Sequence, residues 1–165
     1  MKTAFLIIAL ALILAWYLSF LASRLDRLHH RVETSWEHLD ALLQRRAAIA
    51  LEIAHLPAID AATSLVLMAS AHQAREASIL ERSESESSLS EALKMISSEE
   101  ESVELNQELI KELREITEKI KFAITIHLEA VNSARNVRAK TFVRLFRLAG
   151  HAPLPVRYSF EDDVL

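Results

Sequence analysis

The sequence predicts an all-α, membrane-anchored protein: an N-terminal transmembrane helix continuing into an antiparallel bundle of about four helices, the first and last being long. Three observations carry this. Residues 1–56 contain neither Gly nor Pro, and the 165-residue chain holds one Gly and three Pro, too few for the turns of a sheet protein. Most of the common residues, Ala, Leu, Glu and Arg among them, are good helix formers. Apolar residues recur at intervals of three and four along most of the chain beyond the first apolar run. The expected organisation is an anchor over residues 1–23, a bundle over 24–149 and an extended tail over 150–165.

Thr3 to Ala22 carries no charge over 20 residues, enough to cross a hydrocarbon core of about 30 Å as a helix. Eleven of these residues are Leu, Ile or Phe, which sum to about −5 kcal/mol on the insertion scale. Trp16 and Tyr17 suit one interface, and Lys2 can reach the other. A cleaved signal peptide would have a shorter apolar region ending in small residues at both positions of the cleavage site, whereas here Phe20 precedes Ala22. Lys2 stands alone before the span while Arg24, Arg27 and Arg31 follow it, so the bundle is expected in the cytoplasm with a short N-terminus outside. Ala11, Ala15, Ser19 and Ser23 form a small-residue stripe that would let two copies approach, which leaves a homo-oligomer open.

Beyond the membrane the first helix continues through Leu25, Leu28, Val32, Trp36, Leu39, Leu43, Ala50 and Ile53 until Pro57 stops it, with Trp36 as a core anchor. A second helix is expected from Pro57 or Ala58 to Arg82, with Ile59, Ala62, Leu65, Met68 or Ala69, His72, Ile79 and Leu80 facing inward. The Ser- and Glu-rich stretch 83–102 resembles a linker interrupted by a short helix. Ser88 and Glu91 have the spacing of a capping box ahead of Leu89, Leu93 and Ile96, and Ser98 with Glu101 repeats it. The last long helix places Leu105, Leu109, Leu113, Ile116, Ile120, Ala123, His127, Val131, Ala134 and Val137 on a coiled-coil-like seam, and it continues to Ala149 before Gly150. If neighbours pack antiparallel, this helix returns to the bilayer. Its basic amphipathic end, Arg144 and Arg147 above all, is then a candidate membrane-surface contact, the alternative being that its apolar side packs onto the first helix.

Candidate chemistry is thin. The absence of cysteine excludes disulfides, thiolate metal sites and thiol nucleophiles. A net charge of −4 is too mild to imply a partner, and no nucleic acid is expected. Glu52 and His55 have the spacing used by di-iron bundles, but such a site needs a second pair and two further inward Glu. No cofactor or metal is implied, and no enzyme is expected: there is no Gly-rich phosphate loop and no Ser-His-Asp arrangement. His72 and His127 read as core histidines. Asp40, Arg45 and Arg46 are not spaced to pair with one another along a helix, so pairing between helices is the expected role.

Several stretches together resemble the LemA family. They are the apolar N-terminal span, Arg31 to Asp40 with Trp36, then Leu43-Gln44-Arg45-Arg46, Glu86 to Leu93, and Arg144 to Pro155 with Gly150, His151 and Pro153. The sequence departs from the family pattern at Ala50 to Ile53 and at Ile126 to Val131. The resemblance implies a single-pass membrane protein with a cytoplasmic antiparallel helical domain, and it implies no activity and no catalytic residues. The functional expectation is a membrane-anchored scaffold or adaptor acting through contacts with proteins not identified by the sequence. The alternatives are a bitopic coiled-coil component of the cell-envelope or division machinery and a helical metalloenzyme.

Overall fold

A computed structural model of the chain describes residues 2–79, 81–99 and 107–146; within helices, only the backbone is described for residues 97–99, 142 and 144. The described residues form helices and turns with no strand: α1 (Lys2–Ala54), α2 (Ala61–Glu76), α3 (Arg82–Glu99), α4 (Gln107–Arg138) and α5 (Thr141–Leu145). This is the all-α helical bundle expected. At 53 residues α1 runs about 80 Å without interruption, as a segment lacking Gly and Pro allows.

Each break between the first helices has a local cause. Pro57 has no N–H and pushes Leu56 out of the helical region, so α1 closes with tightened bonds from His55 N to Glu52 O (3.3 Å) and Leu56 N to Ile53 O (3.0 Å). The Ser64 hydroxyl then donates to Ala54 O at 2.7 Å, satisfying a carbonyl that the helix end leaves open. Asp60 is the N-cap of α2, its carboxylate accepting from Ala62 N at 2.9 Å and Thr63 N at 3.2 Å. The Thr63 side-chain hydrogen bond, helped by those backbone bonds, holds the exposed carboxyl below its ordinary range.

The described residues fall into two units. One comprises Trp36–Ile126. Its core takes Leu39, Leu43, Ile49 and Ile53 from α1, Leu67 and Ala71 from α2, Leu89 and Ile96 from α3, and Ile120 from α4. Burying each large side chain stabilises the fold by about 1.5–3 kcal/mol. The other unit comprises the residues up to Ser35 together with those from His127 onward. There Leu21 and Leu25 pack with Val137 and Val143, and Leu28 flanks them. The pairs Ser35–His127 and Arg31–Glu129 lie further along the same two helices, so α1 and α4 run antiparallel in this unit.

Three expectations need correction. The inward face of α2 is Thr63, Leu67, Ser70, Ala71 and Ala74, while Ala62, Leu65, Ala69, His72 and Ile79 are exposed and only Ile59 and Met68 of the expected set are partly buried. Leu65, Val66, Leu67 and Met68 follow one another around the helix and its small residues are spread over several sides, so periodicity favoured the bulkier side chains. The buried hydroxyl of Ser70 is satisfied by Val66 O and Leu67 O at 3.0 and 3.1 Å, which lets it behave as a small core residue.

The Ser/Glu stretch forms the 18-residue helix α3 rather than a linker with a short helix. Arg82 begins this helix instead of ending α2. Ser88 is a mid-helix residue donating to Glu84 O at 3.2 Å, not an N-cap; Ser98 with Glu101 and inward Leu80 and Leu105 lie outside the described side chains. The last helix does not continue unbroken toward residue 149. It stops at Arg138, and a turn through Ala139 and Lys140 leads into α5. In an unbroken helix Val137 and Val143, six positions apart, would point about 120° away from each other. The turn re-phases the chain so that both reach Leu21 and Leu25.

The α2 correction is directly testable. Leu67→Ala should destabilise the full chain in mild detergent by about 2–5 kcal/mol, and Leu65→Ala by no more than about 0.5 kcal/mol, in urea unfolding followed by helical ellipticity. The opposite ranking would restore the face expected from sequence.

Candidate functional site

The most unusual chemistry among the described residues is a cluster of charges inside the Trp36–Ile126 unit. Helix periodicity explains its assembly. On α1, Leu39, Leu43, Ala47, Ala50 and Ile53 form the buried stripe; Arg46 falls within it and Asp40 at its edge, and both pair with α3. On α3 the apolar stripe of Leu89, Ala92 and Ile96 extends toward the N-terminus through Ser85, Glu86 and Arg82, all buried. Arg82, Glu86 and Ser90 succeed one another at four-residue spacing, so one face of α3 presents a cation, a carboxyl and a hydroxyl to α1.

Arg46 Nη2 donates to Ser90 Oγ at 2.6 Å, and Arg46 Nη1 approaches Glu86 Oε2 at 3.4 Å. Ser90 Oγ donates in turn to Glu86 O at 2.9 Å. Arg82 Nη1 donates to Ala74 O at 2.6 Å and its Nη2 to Asp40 Oδ1, tying the end of α2 and the start of α3 to α1. The Arg46 and Glu86 side chains are only 3% and 1% accessible, which puts their pairing in the class where desolvation rivals attraction. The long Arg46–Glu86 contact compensates the carboxylate incompletely, and Glu86 Oε1 has no protein hydrogen-bond partner. Burial therefore wins over the opposing pull of Arg46 and Arg82 and pushes the Glu86 carboxyl up to about 7. The same burial draws the Arg46 guanidinium below its ordinary range.

A cleft of about 210 Å³ opens beside this network, with Arg46 and Ser90 at one side and Leu93, Leu113, Arg114 and Thr117 among its other walls. Nothing in it pairs a base with a nucleophile. Further ion pairs among the described residues are exposed. Arg45 bonds Glu112 on α4 through Nε at 3.0 Å and Nη2 at 2.6 Å, and approaches Glu52 at 3.7 Å. Arg31 meets Glu129 at 3.5 Å. Solvent screens such exposed pairs, so they contribute little to stability.

In the other unit, His127 is buried and its Nδ1 lies 2.9 Å from Ser35 Oγ. The Ser35 hydroxyl also donates to Val32 O at 2.9 Å, so its one proton is committed and His127 Nδ1–H donates to it. A serine nucleophile needs the reverse polarity. The contact bridges α1 and α4, and burial lowers the basicity of the imidazole.

The residues singled out from sequence are thus dispersed. Trp36 is half-buried at the edge of the core, rather than at its centre. Asp40, Arg45 and Arg46 each pair with another helix, to three different carboxylate or guanidinium partners. Glu52 and His55 are exposed, with His55 Nδ1 bonded to Leu51 O at 2.6 Å, and no group of three potential metal ligands occurs among the described residues. Arg147, Gly150, His151 and Pro153 lie outside the described residues, as does the side chain of Arg144. Arg82 was missed as a site residue; extending the Leu89–Ile96 stripe backward by helical steps would have reached it and Glu86.

No protein-family model, curated protein or solved structure matches the chain. Two stretches forty or more residues apart in sequence meet through Arg46, Glu86 and Ser90.

Between about pH 4.5 and 7 the folded chain holds a proton on Glu86 that the unfolded chain has released. This group's contribution is therefore full below pH 4.5 and lost as pH rises through 7, on the order of 3 kcal/mol. His127 acts in the opposite sense, stabilising above its ordinary 6.5 and losing that as pH falls. The difference between wild type and Glu86→Gln isolates the carboxyl: the variant should be the more stable above pH 7, by about 3 kcal/mol, with the gap closing toward pH 4.5. Arg46→Met should cost about 3–5 kcal/mol at alkaline pH, where Glu86 is ionised and unpaired, and less under acid conditions. Urea titrations across pH check both.

Proposed function

We propose that this chain is a single-pass membrane protein whose first helix is an uncleaved anchor and whose helical bundle works in the cytoplasm as a scaffold or adaptor through protein contacts. The observation that carries the reading is the exposure of the apolar segment. α1 contains a window with mean hydropathy 2.6, long and apolar enough to cross a membrane, and only 6% of that window is buried. A core helix of the same composition would be covered by its own fold. Phe5, Leu6, Leu10, Leu12 and Ile13 are each at least 64% exposed, a surface that water does not tolerate and lipid does.

Retention of the segment is supported by Leu21. It is buried with Leu25, Val137 and Val143, so cleavage after Ala22 would remove part of that cluster. The excess of arginine after the span supports a cytoplasmic bundle. Trp16 and Phe20 stack at 6.4 Å between centroids, an aromatic pair of the kind that settles at an interface. The stretches that resemble the LemA family run in the same direction, toward an anchored cytoplasmic bundle without a defined reaction.

Contact with other proteins is supported by the outer face of α2, where Leu65 and Val66 are 65% and 46% exposed, and by Phe122 on α4 at 69%. The ion network holds α1, α2 and α3 as one rigid platform beneath that face, which suits recognition better than turnover.

Because the chain lacks cysteine, single substitutions report topology cleanly. In intact cells a membrane-impermeant maleimide should label Thr3→Cys and leave His72→Cys unlabelled until the cells are opened. Reversed labelling overturns the orientation, and a mature protein lacking Met1 to Ala22 overturns the anchor. A photoreactive residue at Leu65 should give discrete adducts with other proteins that the same residue at Lys111 does not; adducts only with its own copies overturn the adaptor reading.

A further inference from the structure

We infer that α5 and the turn before it rest on the membrane surface at the point where α1 emerges, with Leu145 and Phe146 seated among the headgroups of an anionic leaflet. The inference rests on the reading of α1 as a membrane span and adds a second, peripheral contact with the same bilayer.

Geometry leaves little freedom. The uncharged run ends at Ala22, and α1 continues without a break. Leu21 belongs to the last turn of that run, and Leu25 lies only about 4.5 Å along the axis beyond Ala22. Val137 and Val143 bury both leucines, to 5% and 1% exposure. Whatever covers Leu21 and Leu25 stands at the level of the bilayer boundary, so α5 is held there by packing within this unit.

The side of the segment left uncovered suits that position. The turn at Ala139 and Lys140 directs Val143 inward, while Leu145 and Phe146 remain 69% and 41% exposed. Large apolar side chains next to basic ones are the composition of an interfacial segment. Lys140 is exposed in the turn before α5, and Arg24 and Arg27 are exposed on the adjoining turns of α1. From Asn132 to Arg157 the sequence holds no acidic residue, so this part of the chain is uniformly cationic. Asp26 is the one acid between Leu21 and Arg31. The sequence left two alternatives for this end of the chain, packing onto the first helix or contact with lipid. The valines take the first, and the exposed Leu145 and Phe146 are free for the second.

The test uses the full chain in vesicles of phosphatidylcholine and phosphatidylglycerol, with an environment-sensitive fluorophore at Leu145→Cys, Phe146→Cys, His72→Cys or Leu12→Cys. A lipid nitroxide near the headgroup should quench the fluorophore at positions 145 and 146 about threefold or more above the level at position 72. Lys140→Glu, an exposed change monitored for unchanged helicity, and vesicles of phosphatidylcholine alone should each reduce that quenching. Quenching at positions 145 and 146 no stronger than at 72, with the fluorophore at 12 quenched by a deep nitroxide, overturns the surface contact and leaves the span standing. A fluorophore at 12 beyond reach of the deep nitroxide overturns the span and the surface contact together.

Discussion

Arg46 buries a guanidinium between α1 and α3, and once it is there the placement of α1 against α3 is no longer free. A buried cation has to find acceptors, and here they are the Ser90 hydroxyl and the Glu86 carboxyl, both on one face of α3. Sliding α3 by one turn would replace Glu86 with Arg82 or Ser90 opposite Arg46 and leave charge uncompensated. Arg82 adds a second tie, from α3 to Asp40 on α1 and to the carbonyl of Ala74 near the end of α2. An apolar contact of the same area would stabilise the helices at least as well but would tolerate such slippage, because leucine packs against leucine in many registers. The network contributes register more than free energy.

The unit near the apolar segment solves a similar problem with fewer polar groups. Its cluster of Leu21, Leu25, Val137 and Val143 is small, and the helix carrying the valines had to be broken at Ala139 and Lys140 for both to face the same partner. The bond between Ser35 and buried His127 fixes how α4 lies along α1 without creating a reactive pair, since the serine proton goes to Val32 O. In both units a polar contact sets the register and apolar contacts supply the burial. Outside these contacts, Leu65 and Val66 on α2 and Phe122 on α4 remain exposed.

How much of this was legible in the sequence depended on how strongly each stretch expressed a single preference. α1 had neither Gly nor Pro and a stripe that held for thirty residues past the apolar run, so its extent and most of its buried face could be read directly. The α4 seam from Ile116 to Val137 was equally plain. α2 was not, because Leu65, Val66, Leu67 and Met68 are consecutive and four large apolar residues in a row point to all sides of a helix. α3 was obscured by composition: serine-rich segments read as linkers, yet Ser85 and Ser90 are small enough to be buried and Ser90 is satisfied within its own helix. Asp40, Arg45 and Arg46 were recognisable as residues that would pair between helices, whereas their partners were not.

What the sequence by itself determined is therefore one-dimensional: a long apolar segment, helices with known periods, a stop at Pro57 and an excess of positive charge after that segment. These depend on neighbours within a turn or two, and local neighbours are what a sequence records. Only the tertiary structure decided that Arg46 would meet Glu86, that α2 would turn its small residues inward, and that Val137 and Val143 would share a face. Each of those outcomes is a compromise between segments tens of residues apart, in which the cost of burying charge or leaving a gap on one helix is set by what another helix brings to it.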